Sequence, residues 1–278
     1  ATIALHDIDP DRLALAQRMA ERVAETLGAK PTIQATLELD AALAGADFVL
    51  NTIQVGGLDA ALSDFAVARR HGIRLTIGDT IGIAAISRAV RTLPVVLQIA
   101  RRMEQLCPDA WLFNYVNPES MNVIAVARAT RIRVIGLCHS VWHTIQRLGA
   151  YLGVPAEEID YVSGGINHIA FILRLEHRGQ DLYPRLRDLA NAGGIPDDDL
   201  VRAELFRRLG YYPTESSEHH AEYSPHFLLH DGAVERYHIP LDEYPRRARR
   251  NLAELERVRA QLDSGKPLTT QPSGEEAA

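Results

Sequence analysis

Short apolar runs recur through the first half of the chain, at residues 2–5, 32–35, 48–53, 73–77, 111–116 and 132–137, most with helical stretches between them. Runs of this length that are apolar on both faces predict strands buried between two layers of helices. The first intervening stretch shows the helical period most clearly. Leu13, Ala16, Met19, Ala20, Val23, Ala24 and Leu27 fall at three- and four-residue steps, Asp9 and Pro10 suit the cap and first turn, and Gly28 suits the stop. The pattern predicts an α/β fold, with a doubly wound parallel sheet of the Rossmann-like, dinucleotide-binding kind over residues 1–140. Beyond that the character changes. An alternating stretch at 169–176, then amphipathic stretches at 182–192 and 200–209, predict a second, mixed α/β domain over 141–263. Residues 264–278, rich in Pro, Gly, Ser and Glu, read as a disordered tail.

Composition narrows the function classes. A chain of 278 residues with 46% hydrophobic and 24% charged residues can bury one large or two smaller cores. No unbroken apolar run approaches the roughly 20 residues of a membrane span, so no membrane role is expected. The net charge of −6 argues against a broad grip on nucleic acid. Cys107 and Cys138 are the only cysteines and no secretory leader opens the chain, which points to the cytoplasm. Residues 2–5 already read as a strand with no initiator before it, so the expectation is that the natural start lies upstream.

Several residues carry candidate chemistry. Asp7 ends the first strand, where a dinucleotide fold sets a carboxylate against the adenosine ribose, although an aspartate there is more often a turn or cap residue. The glycine-rich turn that would hold the pyrophosphate belongs upstream of that strand, which predicts weak NAD binding and little or no turnover by this chain. Cys138 ends an apolar run and His168 opens the second domain. A thiolate and an imidazole can share a divalent metal, but for two such distant residues a buried thiol and a satisfied histidine are the commoner reading. Pro118 holds Asn117 out of helical geometry, with its amide toward the cleft or in a turn. Val55-Gly56-Gly57 permits close approach of a ligand, with Asn51 and Gln54 as polar candidates beside a cofactor, or makes a tight turn.

Three clusters, Asn114-Tyr115-Val116-Asn117-Pro118, Gly136-Leu137-Cys138-His139-Ser140 and Gly165-Ile166-Asn167-His168, resemble family 4 glycoside hydrolases. Further matches stand in the family's order at residues 51–57, 77–80, 88–94, 181–186 and 218–223, so the resemblance covers most of the chain. It implies a second domain like that of lactate and malate dehydrogenases and a homo-dimer or homo-tetramer. It also implies cleavage of a small-molecule glycoside with NAD and Mn2+: oxidation at sugar C3, loss of the C2 proton, elimination of the aglycone and addition of water. Cys138 and His168 become metal ligands, Asn117, His139 and Asn167 substrate contacts, and Asn117 a cofactor contact as well, near the nicotinamide. Tyr223, Glu222 and His219 become candidates for the base, Tyr223 preferred. The Cys138-His139-Ser140 sequence resembles the branch acting on non-phosphorylated α-glycosides, α-galactosides foremost. One departure is Gly82-Ile83-Ala84-Ala85-Ile86, where many members have a glycine-rich continuation. Its added methyl groups are expected to narrow a loop beside the site. Two other readings are an NAD-dependent 2-hydroxy-acid dehydrogenase, which has no need of Cys138 with His168, and a truncated binding module.

Overall fold

The computed structural model describes residues 1–265. Strand β1 (Thr2–His6) pairs in parallel with β2 (Thr32–Thr36), and α1 (Pro10–Thr26) crosses between them. Asp9 Oδ1 accepts from the backbone N–H groups of Asp11 and Arg12, Pro10 sits in the first turn, and Gly28 (φ +64°) leads the chain out of the helix.

After α2 (Leu39–Leu43) come β3 (Phe48–Asn51), α3 (Gly57–Arg70), α4 (Gly82–Leu106), β4 (Trp111–Asn114), α5 (Glu119–Ala129) and β5 (Arg133–Gly136). Strands β3, β4 and β5 form a parallel sheet in register Asn51–Asn114–Gly136, so their carboxyl ends lie side by side. Among the described residues the β1–β2 pair and this three-stranded set are separate ladders. Leu43, Val96, Ala100, Met103, Leu112, Val126 and Ile132 fill the core around the larger set.

Two expectations fail here. Residues 73–77 are not a strand. Leu75 and Ile77 are buried as strand residues would be, but the N–H groups of Thr76, Ile77 and Gly78 donate to the Glu222 carboxylate instead of to a neighbouring strand. Residues 82–86 are not a loop either, but the first turn of α4. Ala84 and Ala85 are buried under the helix and Ile83 and Ile86 face outward, so their methyl groups narrow no loop.

By length and composition α4, 25 residues with a mean hydropathy of 1.4 in its most apolar window, is long and apolar enough to cross a membrane. Arg88 and Arg91 interrupt its sequence, so no unbroken apolar run marks it. Here α4 packs against α3 and α5, with Arg91 ion-paired to Asp64 on α3.

The second half begins with α6 (Ser140–Leu152), followed by the antiparallel hairpin β6 (Ile159–Ile166) and β7 (Ile169–His177). Strands β8 (Gln180–Asp181) and β9 (Tyr212–Pro213) add to β7, with α7 (Tyr183–Asn191) and α8 (Leu200–Leu209) between them. Ile145, Leu148, Ile172, Leu175, Leu186, Phe206 and Tyr212 form the core beneath. Then come α9 (Ser217–Tyr223), α10 (Pro225–Leu228), α11 (Asp231–Arg236) and α12 (Glu243–Asp263). The expected tail lies, from residue 266, outside the described residues.

Candidate active site

Three connections converge at one point. The first leaves β5 and carries Cys138 just ahead of α6. The second is the two-residue turn between β6 and β7, Asn167-His168. The third joins β9 to α9 and carries Glu215. His168 (φ +62°) and Glu215 (φ +70°) are both in the left-handed region, uncommon for residues with a side chain. Such conformations persist where the surroundings over-determine them, often at functional sites.

The donor atoms of Cys138, His168 and Glu215 all lie within 4.8 Å of one another. Glu215 Oε2 is 3.4 Å from His168 Nε2 and 3.7 Å from Cys138 Sγ. On the other side of the His168 ring, Nδ1 is 2.8 Å from Thr80 Oγ1 and 3.2 Å from the Tyr223 hydroxyl, so Nε2 is the nitrogen turned to the cluster. A sulfur, a nitrogen and an oxygen gathered this closely can hold a divalent ion.

Behind them lies a buried charged layer. His219 sits between Asp79 (3.8 Å) and Glu215 (3.5 Å), with its ring edge-on to His168. Burial opposes its charge, but hydrogen bonding to Asp79 and the field of Glu215 outweigh it and lift the imidazole to about 9. Burial also opposes the Asp79 carboxylate, yet His219, Arg88 and the Asn117 amide (3.0 Å) hold it well below the usual carboxylate range. Glu215 is likewise held low, against burial, chiefly by His219 and His168. Burial pushes the Tyr223 phenol far up, so the protein groups alone keep it protonated.

The other expected residues are placed as follows. Asn117 reaches Asp79, and its Oδ1 accepts from Glu119 N (3.2 Å) across a cis peptide to Pro118. The Asn167 Oδ1 is buried beside His168 with no hydrogen-bond partner among the described residues, an acceptor for which a ligand hydroxyl would compensate. His139 packs edge-on against His143 and faces a cavity of about 990 Å³ walled by α6, α9 and α12. The Glu222 carboxylate is occupied by the three backbone N–H groups of residues 76–78, which makes it an anchor for that segment and not a free base.

Asp7, Asn51 and Gln54 have other partners. Asp7 pairs with Arg12 (2.7 Å) and caps Asp9 N, Asn51 donates to Asn114 Oδ1 (2.9 Å), and Gln54 donates to the Tyr244 hydroxyl (3.2 Å). A Cβ on Gly56 (φ +85°) would meet Ala60 Cβ at 2.6 Å, so the tight turn into α3 itself requires that glycine.

Sequence reasoning missed Glu215 as a site residue, because in Pro213-Thr214-Glu215-Ser216-Ser217 it looks like part of a polar turn before a helix. It also missed the roles of Asp79 and Thr80, although they stand in a matched segment.

A parallel α/β half, an antiparallel half and a thiol, imidazole and carboxylate at their junction define the class: a Rossmann-like enzyme fold with a metal-capable cleft. Residues 1–154 match the family model described as family 4 glycosyl hydrolase, and residues 163–278 match its C-terminal domain. The chain belongs to this family. It is 41% identical over 276 residues to an alpha-galactosidase of Bacillus subtilis, covering 98% of this chain and 64% of that protein's length. The crystal structure of lplD from Bacillus subtilis superposes with a TM-score of 0.85 at 26% identity, over 100% of this chain and 68% of that one. A 6-phospho-alpha-glucosidase from gut microorganisms, solved in complex with NAD and Mn2+, shares the fold with a TM-score of 0.77 at 18% identity, over 99% and 65%.

Proposed function

We propose that this chain is the catalytic part of a glycosidase that opens O-glycosidic bonds of non-phosphorylated α-glycosides, α-galactosides first, by an NAD- and Mn2+-dependent oxidation–elimination route. One observation carries the reading: Cys138, His168 and Glu215 bring three metal-capable donor atoms within 4.8 Å, beside an orphaned buried amide oxygen on Asn167. A two-carboxylate hydrolysis would need none of the thiol. The 41% identical relative is named alpha-galactosidase, which supports the choice of sugar.

When bound, NAD supplies a reversible hydride acceptor for sugar C3, and a divalent cation supplies charge that makes the C2 proton removable, so that the aglycone is eliminated and water takes its place. Cys138 and His168 would hold the cation, and the donor types fit Mn2+ or Zn2+. Asn51, at the carboxyl edge of the sheet, and Gln54 and Asp7 would line the cofactor side.

Asn167 Oδ1 accepts from a sugar hydroxyl, Asn117 is aligned for another by Asp79, and His139 contacts the leaving group from the cavity side. Tyr223 is the proposed C2 base: its hydroxyl stands 3.2 Å from His168, and a cation on that histidine would offset the burial that keeps the phenol protonated. The protonated His219 balances Asp79 behind the site and Glu215 within it, so that the two carboxylates can stand on either side of one imidazole. The proposal includes a cytoplasmic homo-dimer or homo-tetramer, for which the exposed apolar stripe Ile83, Ile86 and Val90 on α4 is a surface that association would cover.

The test is release of nitrophenol from nitrophenyl α-galactoside by the chain extended to the length of its relatives, of which it spans 64% in the Bacillus subtilis protein, with NAD and Mn2+ added or withheld, and with Cys138→Ser and His168→Ala. Activity is expected with both additives and to fall by roughly 10²-fold or more in either variant. A strict need for a 6-phosphate on the sugar, or full activity of either variant in chelator, overturns the reading.

A further inference from the structure

We propose that Glu215 is a third protein ligand to the divalent cation, completing a sulfur–nitrogen–oxygen set with Cys138 and His168. The inference rests on the cation site of the proposed function and adds to it a residue that neither the sequence motifs nor the resemblance assigned.

The separations from Glu215 to the other two donors are those of ligands around one ion, and all three donors lie within 4.8 Å of one another. Two donors about 2.0–2.3 Å from a metal, at angles between square and tetrahedral, stand roughly 3 to 3.8 Å apart. Glu215 Oε2 meets this with both partners, 3.4 Å from His168 Nε2 and 3.7 Å from Cys138 Sγ. Its two oxygens face different neighbours: Oε1 is turned to His219 Nδ1 (3.5 Å), which also meets Ser216 Oγ (3.0 Å), while Oε2 is turned to the cysteine and histidine.

The backbone holds the carboxylate there. Arg202, wholly buried, donates from Nη1 to the Glu215 carbonyl and to Thr144 Oγ1 (3.0 Å), and its Nε and Nη2 grip Asp199 at 2.5 and 2.7 Å. On the preceding residue, Thr214 N donates to Ala170 O at 2.9 Å. Glu215 is thus pinned on both sides in the left-handed conformation. This offsets the intrinsic cost of that conformation and keeps the side chain from swinging to solvent. A carboxylate added to a thiolate and an imidazole also hardens the donor set, favouring Mn2+ over ions that a thiolate alone would hold.

The experiment measures Mn2+ affinity of the 278-residue chain by the paramagnetic resonance signal of free Mn2+, and Cd2+ affinity by the absorption of the thiolate complex. Two variants are used: Glu215→Gln, which keeps the shape, and Glu215→Gly, which accepts the φ of +70° and removes the side chain. Both should keep the parent's circular dichroism and bind Mn2+ at least about tenfold more weakly, while Cd2+ affinity changes by no more than about threefold. Mn2+ affinity within about twofold of the parent in both variants would overturn the assignment. Equal loss of Mn2+ and Cd2+ would also overturn it, since Glu215 would then be acting through the placement of Cys138. A parent chain that binds no Mn2+ would remove the cation reading itself, and this inference with it.

Discussion

Individual side chains here are governed by what burial does to their charge. His219 and His220 are neighbours in α9, yet their environments push them in opposite directions: two carboxylates lift His219 to about 9, while burial brings His220 down to about 4. The His220 ring stays neutral and donates Nε2–H to the Thr214 carbonyl at 2.5 Å. Its folded value lies below the 6.5 of an unfolded histidine, so its contribution to stability is fully present above about 6.5 and is lost as pH falls toward 4. A shift of this size corresponds to up to about 3 kcal/mol. Urea midpoints of the parent should therefore fall between about pH 7 and 4.5, and those of His220→Gln, whose amide can also donate, should fall less over that window. Parallel curves for the two proteins would show that His220 does not carry the acid sensitivity.

At the scale of elements, the parallel strands were legible because each is a short apolar run, and β7 because its residues alternate. The segment at 73–77 was misread for a physical reason. A strand and a buried loop put the same apolar side chains inward, and the two differ only in what receives the backbone N–H groups. Here the acceptor is Glu222, 144–146 residues further on, which no local pattern reveals. Glu222→Ala leaves three buried donors unpaired and should cost about 3 kcal/mol or more in urea unfolding. It should also reduce turnover, since Asp79 and Thr80 follow directly on the released segment. A loss under about 0.5 kcal/mol would show that the segment is held by its apolar contacts alone. The long helix α12 escaped notice because charged residues such as Arg246, Arg247, Arg249 and Arg250 crowd its first turns.

Across the whole molecule, each half supplies part of the cleft. The parallel half contributes Asp79, Thr80, Asn117 and Cys138, and the antiparallel half contributes His168, Glu215, His219 and Tyr223. Cys138 and His168 were found from ordered motifs in the sequence, but Glu215 was not, because its role depends on Arg202 and Asp199 fixing a turn whose sequence resembles any polar helix start. The proposed function requires that a proton leave sugar C2 before the glycosidic bond breaks. Hydrolysis of a nitrophenyl α-galactoside in heavy water with NAD and Mn2+, by the chain extended to the length of its relatives, tests this most directly, through nuclear magnetic resonance at C2 of the released sugar. Deuterium at C2 is the predicted result; a product that keeps its original hydrogen there would contradict the account.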